Sequence, residues 1–463
     1  MIAAIAQLIL FILGLLMFRL DNKHKVAILL LIAICGRDVD LSFLPVAHGA
    51  TSFVVYMYLL SILPNIMKYI SQISKTVILK VIILMAIGAV ISLINSPHYN
   101  YEYLVGLKFL ISEVGTACLV LPLAFISIRD DKDLIPTIKV AYWGMLLLTT
   151  LGIINYITKR SFWVEAMPSF EALFNTMGGN TFAQTDRFRV QSMFQLPFDY
   201  GYLCAVMSFF FLYVKRKGLL SRNRFWIMGA CCLFGIITCA CRSSQAAFAI
   251  GIIVYILTAY KLRRSLMYGL IAVLIGIIVI PQIPASQKYI DLFEKGLSTD
   301  QRNFEGGSTI GMRLMQLNAV FYYIDDDMLF GRGKGFFYYD MGWENKQYGG
   351  HVYDRDLMGL EGAYLNRLLE QGIIGFAIYI IFYSSLFIAA WRMRKSDKLT
   401  FALFASVMAA YFSFAQITGE LGSVYPSLLL FGISLKLLYV KSGNLFLPRV
   451  VRTRIYPRAT SNT

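Results

Sequence analysis

Three arginines stand where a strongly apolar chain gives little reason to keep a cation. Arg189 lies in RFRVQSMFQLP, Arg242 in the short CRSSQ turn, and Arg313 in TIGMRLMQLNAVFYYI. A guanidinium is planar, permanently charged and able to donate two parallel hydrogen bonds, which suits phosphate oxygens. The same residues would also serve as lipid-headgroup contacts or as partners of helix ends. The second feature is the run LFGRGKGFFYYDMGWENKQYGGHVYDRDLMGLEGAYLNRLLEQGIIG, Leu329–Gly375. Most of it falls in a polar interval of about 80 residues, 284–362, and loops of that length in a compact fold are functional or disordered. Its density of Tyr, Phe and Trp, with no low-complexity run, argues for a folded unit. We place the chemistry there.

The elements that must position these residues are membrane helices. Hydrophobic residues make up 57% of the 463 and charged residues 15%, with a mean hydropathy of +0.62. A soluble chain carries about a quarter charged residues. Apolar runs of about 17–25 residues recur throughout, the length that crosses a hydrocarbon core as helix. The runs are continuous rather than alternating, which excludes a β-barrel. The fold class is therefore an all-α polytopic membrane protein. Thirteen spans are expected, near 1–18, 25–42, 50–67, 77–94, 104–127, 135–157, 197–214, 225–241, 244–260, 266–283, 363–390, 399–417 and 424–440. The first lacks a basic n-region and a small-residue cleavage site, and more spans follow at once, so it reads as a helix rather than a signal peptide.

Four regions follow. Residues 1–283 hold ten helices with an external loop at 158–196. Residues 284–362 form an extracytoplasmic catalytic loop domain. Residues 363–440 hold three more helices, and 441–463 is a basic cytoplasmic tail. Within 284–362 the pattern predicts helices at Ser286–Leu297 and, more clearly, at Thr309–Ile324, where Gly307 and Ser308 supply a start signal. Such helices can lie flat on a leaflet.

Orientation comes from Lys and Arg in short loops. Lys215, Arg216, Lys217, Arg222 and Arg224 form one cluster; Lys261, Arg263 and Arg264 another; Arg392, Arg394, Lys395 and Lys398 a third. The tail adds Lys441, Arg449, Arg452, Arg454 and Arg458. With thirteen spans all of these fall on one side, read as cytoplasmic, which puts the three arginines outside. The formal charge of +16 is then mostly flank charge facing anionic lipid. No separate basic domain exists, which argues against nucleic acid as a partner. The seven cysteines lie in or at the ends of spans, without zinc or redox spacing, and read as small apolar packing residues. The four histidines are scattered, so no metal site and no cofactor is read. Lys108 and Glu113, deep in an expected span, keep a transporter or lipid-linked oligosaccharide flippase open as an alternative.

Several short patterns occur in a telling order. Arg189, Ser192, Phe194 and Pro197 fit R-x-x-(small)-x-F-x-x-P, and Cys241–Ser243 fit a (S/C)-R-S turn. Arg313 precedes a helix and then G-x-G-x-G-F at Gly331, Gly333, Gly335 and Phe336. Tyr364 and Leu365, then Gly372–Gly375, fit a Y-L…G-I-I-G helix start. The glycine run is neither a P-loop nor a dinucleotide fingerprint, because no strand precedes it and no helix-opening lysine follows. In this order and on this topology, over roughly residues 180–390, the chain resembles the bacterial O-antigen ligase and polymerase superfamily of membrane glycosyltransferases. Ligases of that superfamily carry His-Asn just before the Y-L pair; here Glu361 and Gly362 stand there, which favours the polymerase branch.

The resemblance implies a polysaccharide polymerase in the bacterial inner membrane, with its active site on the periplasmic face. Its donor would be an oligosaccharide on undecaprenyl diphosphate, and the alternative acceptor, for a ligase, a lipid A core. Arg189 and Arg313, with Arg242, would hold the diphosphate and offset the charge that develops as it departs, so no metal is required. Glu361 would accept the acceptor-hydroxyl proton, with His351 as the rival base; Glu361 could equally be a carboxylate that favours a helix N-terminus. Tyr338, Tyr339, Trp343, Tyr348 and Tyr364 would offer stacking faces and hydroxyl groups to sugar rings. One displacement inverts the anomeric centre. A chain-length regulator and a flippase are the protein partners such a role suggests.

The orientation has a direct test. In a background without reactive cysteines, Tyr348→Cys is expected to label with an impermeant reagent in intact cells and Ser221→Cys is not. The reverse pattern would invert the topology.

Overall fold

A computed structural model describes residues 2–36, 39, 41, 49–96, 111, 118–165, 188–260, 310–336, 357, 360, 362–418 and 423–443. All elements among them are helical: α1 (Ile2–Leu16), α2 (Asn22–Leu31), which passes into a π-turn at Ile32–Gly36, α3 (Ala50–Ile62), α4 (Ile66–Ser74), α5 (Val77–Ile94) and α6 (Val120–Ser127). They continue with α7 (Ile135–Thr158), the single turn α8 (Phe162–Glu165), α9 (Pro197–Arg216), α10 (Arg222–Thr238), α11 (Arg242–Ala259) and α12 (Ile310–Ile324). The last three are α13 (Ala363–Arg392), α14 (Lys398–Thr418) and α15 (Val424–Lys441). Among the described residues, eight stretches are long and apolar enough to cross a membrane: Ala50–Ser74, Val77–Ile94, Asp131–Thr158, Pro197–Arg216, Arg242–Ala259, Ala363–Arg392, Lys398–Gln416 and Val424–Lys441. The expected span 266–283, most of 104–127, and Lys108 and Glu113 lie outside the described residues.

Local chemistry sets the helix ends. Pro197 opens α9 from an extended Leu196, with Asp199 in the first turn and Lys215 and Arg216 in the last, the charge order that the helix dipole favours. The Thr76 hydroxyl caps α5 by accepting from the Ile78 N–H, and Ser221 caps α10 by accepting from Arg224. The expected spans at 1–18, 25–42 and 225–241 hold only the shorter helices α1, α2 and α10, which are not among these eight, and two others differ in detail. The one at 50–67 runs on to Ser74 through a 3-10 turn at Leu63–Asn65, where Pro64 interrupts the α-helical ladder. The one at 363–390 begins at Ala363 as expected but breaks at Gly372, which has φ 61° and ψ −161°.

Helices α9, α14 and α15 form the centre of the bundle, buried along most of their length. Helix α11 packs along α14 and α9, α10 along α9 and α7, α15 along α6, and α5 along α13. Cys204, Cys232 and Cys239 fill the α9–α10–α11 contact as small buried groups. The rim carries exposed apolar side chains, among them Ile83, Ile87, Trp143, Leu147 and Ile381, as a lipid-facing surface requires.

One end of the bundle is closed by a charge network. The Lys217 ammonium lies 2.5 Å from the Asp397 carboxylate, and Lys441 lies 2.6 Å from both Asp397 and Asp131. The Tyr213 hydroxyl donates to Asp131 (2.9 Å), and the Thr400 hydroxyl donates to Asp397 (2.7 Å). The network joins the segment before α7, the end of α9, the α13–α14 turn and the end of α15. Burial pushes the Asp397 carboxyl up, but Lys217, Lys441 and Thr400 more than reverse this and hold it well below the usual carboxylate range. A depressed folded-state pKa contributes stability above the unfolded value and loses it as pH falls.

Asp397→Asn leaves Lys217 and Lys441 with Asp131 as their one remaining anion in this network. It is expected to cost about 1–3 kcal/mol near neutral pH, read as a lower melting temperature in detergent. The gap to wild type should shrink as pH falls below about 4. A gap that stays constant from pH 7 to pH 3 would show that the carboxylate charge contributes nothing.

Candidate functional site

The opposite end of the bundle carries the predicted arginines. Val190 follows Arg189 and its N–H donates to the Thr238 carbonyl (3.0 Å), which ties the 188–196 segment to the end of α10. Ser192, the small residue of the first motif, is fully buried, and its hydroxyl donates to the Leu148 carbonyl at 2.7 Å. Its φ of 53° is left-handed, a conformation bulky residues resist. Phe194 stacks on Tyr200 at 6.3 Å. Each motif residue therefore has a local job, and Arg189 is presented half-exposed at the end of the α9–α10 pair.

Arg242 begins α11. Ser244 in its first turn donates to the Phe198 carbonyl (2.8 Å), which docks α11 on the start of α9. The guanidinium of Arg189 lies within electrostatic reach of Arg242, Cys239 and Cys241. Asp199, 2% exposed in the first turn of α9, acts on Cys241 as well. Two predicted arginines from different loops thus converge. Arg313 lies on α12, where its Nη1 donates to the Gln316 side chain at 2.7 Å.

Helix α12 packs on the first segment of α13. Ala319, Val320 and Ile324 join Leu360, Leu365, Leu368 and Leu369 in a second apolar cluster, separate from the main core. The Tyr364 ring packs against this cluster, and its backbone N–H donates to the Gln416 side chain at 3.3 Å. Gln416 in turn donates to the Tyr379 hydroxyl (3.3 Å), and Tyr379, Tyr411 and Tyr383 continue a chain of hydroxyl groups between α13 and α14. The Arg367 guanidinium lies 6.0 Å from the Tyr379 ring centre, within cation–π range.

The glycine run and the G-I-I-G motif turn out to be one device. The break at Gly372 leaves the carbonyls of Leu369 and Glu370 and the N–H groups of Ile373 and Ile374 without helical partners. Residues 328–333 supply all four. Arg332 N–H donates to Leu369 (2.8 Å) and Gly333 N–H to Glu370 (3.1 Å), while Ile373 and Ile374 donate to the carbonyls of Met328 (3.0 Å) and Leu329 (3.1 Å). Gly331 has φ 72°, and a Cβ there would lie 2.5 Å from the Gly372 nitrogen; one on Gly372 would lie 2.5 Å from the Leu329 carbonyl. The next residue anchors the loop to α5: Lys334 N–H donates to Ser92 (2.8 Å), the Ser96 hydroxyl donates to the Lys334 carbonyl (2.6 Å), and the Lys334 ammonium pairs with Glu370 (3.1 Å). Arg332 closes the end of α12 by donating to the Tyr323 carbonyl and pairing with Asp326 and Asp327. The N–H groups at Arg332, Gly333 and Lys334 are thus occupied by protein carbonyls, so this run does not cradle a phosphate with them.

Glu361, His351, Tyr338, Tyr339, Trp343 and Tyr348 lie outside the described residues. Gly362, next to Glu361, lies with its backbone against the Gln416 carbonyl: a Cβ there would be 3.2 Å from that oxygen. Arg367, Gln416 and Asp199 were not singled out from the sequence. Arg367 follows Tyr364 at helical spacing and Asp199 follows Pro197 by two, so both were available as polar residues at the mouth of a span.

Residues 227–380 match the family model described as O-Antigen ligase. The match runs from α10 past the break in α13 and includes Arg242, Arg313 and both glycine motifs; Arg189 and Gln416 lie beyond it. Over these residues, about a third of the chain, the sequence is similar to the O-antigen ligase family. The match does not separate polymerase from ligase. None of the curated proteins matches the chain.

The glycine device predicts a contrast. Gly331→Ala adds a left-handed alanine and a collision with backbone, and is expected to cost about 3 kcal/mol or more. Gly218→Ala has the same backbone sign, φ 74°, in open space, and is expected to cost about 1 kcal/mol. Melting curves in detergent compare the two, and equal losses would show that the loop and α13 do not touch.

Proposed function

We propose that the chain is a polysaccharide polymerase. It would transfer a glycan from an undecaprenyl-diphosphate carrier onto a lipid-linked repeat unit, on the extracytoplasmic face of a bacterial inner membrane. The observation that carries this reading is the convergence of Arg189 and Arg242, two guanidinium groups drawn from separate loops into mutual electrostatic reach. Like charges so placed repel, and a diphosphate between them would offset that repulsion and use the bidentate geometry of both. Arg313 adds a third cation on α12, the helix packed on the start of α13.

The reaction needs little else from the chain. An acceptor hydroxyl oxygen attacks the anomeric carbon, the bond from that carbon to the diphosphate oxygen breaks, and its electron pair leaves with the diphosphate. The hydroxyl proton passes to the Glu361 carboxylate. The arginines stabilise charge that grows as the bond breaks, which lowers the barrier rather than merely tightening binding. The single displacement inverts the centre and calls for no metal. Tyr338, Tyr339, Trp343, Tyr348 and Tyr364 would orient the sugars, and His351 is the alternative base. A flippase that delivers the donor and a regulator of chain length would be the functional partners.

A second reading, the ligase, is favoured by the description of the matching family. Its acceptor would be a lipid A core or another preformed glycan. The two separate by product: loss of a polymerase leaves single repeats on the acceptor, whereas loss of a ligase leaves long chains on the carrier.

Arg189→Ala and Arg313→Ala are each expected to abolish polymer at normal protein level, with lysine rescuing poorly because it lacks the planar fork. Glu361→Gln keeps size and hydrogen bonding without basicity, so turnover should fall by roughly 10²–10⁴, while His351→Ala is mild. Full-length polysaccharide from both arginine variants would remove the diphosphate assignment. Normal polymer from Glu361→Gln with loss in His351→Ala would move the base to the histidine.

A further inference from the structure

The end of the bundle opposite the arginines carries a half-open cavity of about 520 Å³ between the α4–α5 turn, the last turns of α13 and the end of α15. Three cations line it, Lys75, Lys80 and Arg392, together with the polar groups of Thr76, Ser385 and Tyr439. Among the described residues no carboxylate lines it. Among the described residues none of the three cations makes an ion pair, whereas Lys217 and Lys441 on the same end are paired to Asp131 and Asp397. The chain thus places its acids where they tie loops together and leaves this cavity wholly basic.

The cavity is built by helix geometry. Helices α5 and α13 run antiparallel and touch closely near Gly88, which lies against Ile378 and Gln371. Toward Lys80 and Arg392 they leave room between them, and Tyr439 closes the third side. Apolar Val77, Ile388 and Ala389 complete the wall. The arrangement therefore offers cations and hydroxyl groups beside hydrocarbon-lined surface, at the end of the bundle where Lys and Arg concentrate. Lysine and arginine at such an end attract the phosphates of anionic lipid, and basic pockets between membrane helices bind their headgroups.

We propose that this cavity binds the phosphate headgroup of an anionic phospholipid from the surrounding leaflet, as a site distinct from that of the glycan donor. Lys80 and Arg392 would meet the phosphate from the two facing helices, Lys75 would sit at the rim, and the glycerol and first acyl carbons would lie against Ile388 and Ala389. The inference does not depend on the polymerase reading, since it concerns the other end of the bundle and is read by binding rather than by polymer.

The test uses the full chain, purified in detergent, stripped of lipid and titrated by native mass spectrometry. The probes are phosphatidylglycerol, cardiolipin, zwitterionic phosphatidylethanolamine and inorganic phosphate. One phosphatidylglycerol or cardiolipin is expected to bind at least tenfold more tightly than phosphatidylethanolamine. Lys80→Gln with Arg392→Gln should remove that preference, while Lys395→Gln with Lys398→Gln, exposed on the same end but outside the cavity, should keep it. Equal retention of the zwitterionic lipid, or an unchanged preference in the Lys80 and Arg392 variant, would overturn the site. Inorganic phosphate that bound as tightly as the lipid would overturn the lipid assignment in favour of a free anion. Should the double variant not be recovered folded, Lys75→Gln alone is expected to weaken the lipid at least threefold, and no weakening would count against the proposal.

Discussion

A helix that breaks inside or beside a membrane must find new partners for its severed backbone groups, because the surroundings supply little water to satisfy them. Helix α13 breaks at Gly372, and residues 328–333 satisfy both of its raw ends at once. Much else follows from this arrangement. The loop can make those bonds only if two chains of backbone nearly touch, which restricts Gly331 and Gly372 to glycine. Because Lys334 then reaches Ser92 and Ser96, the same loop fastens α5 to α13. Because Arg332 holds the last turn of α12, that helix is fixed against the first segment of α13. Helix α12 and the loop that follows it are thus tied to the bundle by main-chain hydrogen bonds, by the Lys334–Glu370 ion pair and by the apolar contact of α12 with α13.

The two ends of the bundle solve opposite electrostatic problems. At one end Asp131 and Asp397 draw Lys217 and Lys441 into a paired network, which costs desolvation but binds four chain segments together. At the other, Arg189 and Arg242 lie within electrostatic reach of each other. Hydrogen bonds hold the arginines in place: the Val190 N–H to the Thr238 carbonyl for one, and the Ser244 hydroxyl to the Phe198 carbonyl for the other.

The helices were legible in the sequence because the length of an apolar run is itself the constraint that a bilayer imposes. Helix α12, expected over Thr309–Ile324 and described over Ile310–Ile324, was legible from its amphipathic period. The break at Gly372 was not legible, since a lone glycine in a span is commonplace and only the loop from about 40 residues earlier gives this one its role. The two glycine motifs were visible as an ordered pair without their contact being visible. For the site, the arginine types pointed to an anion, but the meeting of Arg189 with Arg242 depends on how α9, α10 and α11 pack, which local pattern does not encode. The same holds for Gln416, which reads as an ordinary polar residue near a helix end until it is seen to link Tyr364 to Tyr379.

The position of the break also sets a depth scale. From Ile373 to Arg392 the second part of α13 holds about twenty residues, and at a rise of about 1.5 Å each it measures about 30 Å, the thickness of a hydrocarbon core. A helix of that length fits the bilayer without tilt to spare. Gly372 then lies at one water boundary and Arg392 at the other, so the main-chain bonds around Gly331 act as a stop that the bundle cannot sink past. On that scale helix α12 and the start of α13 lie at the level of the lipid headgroups.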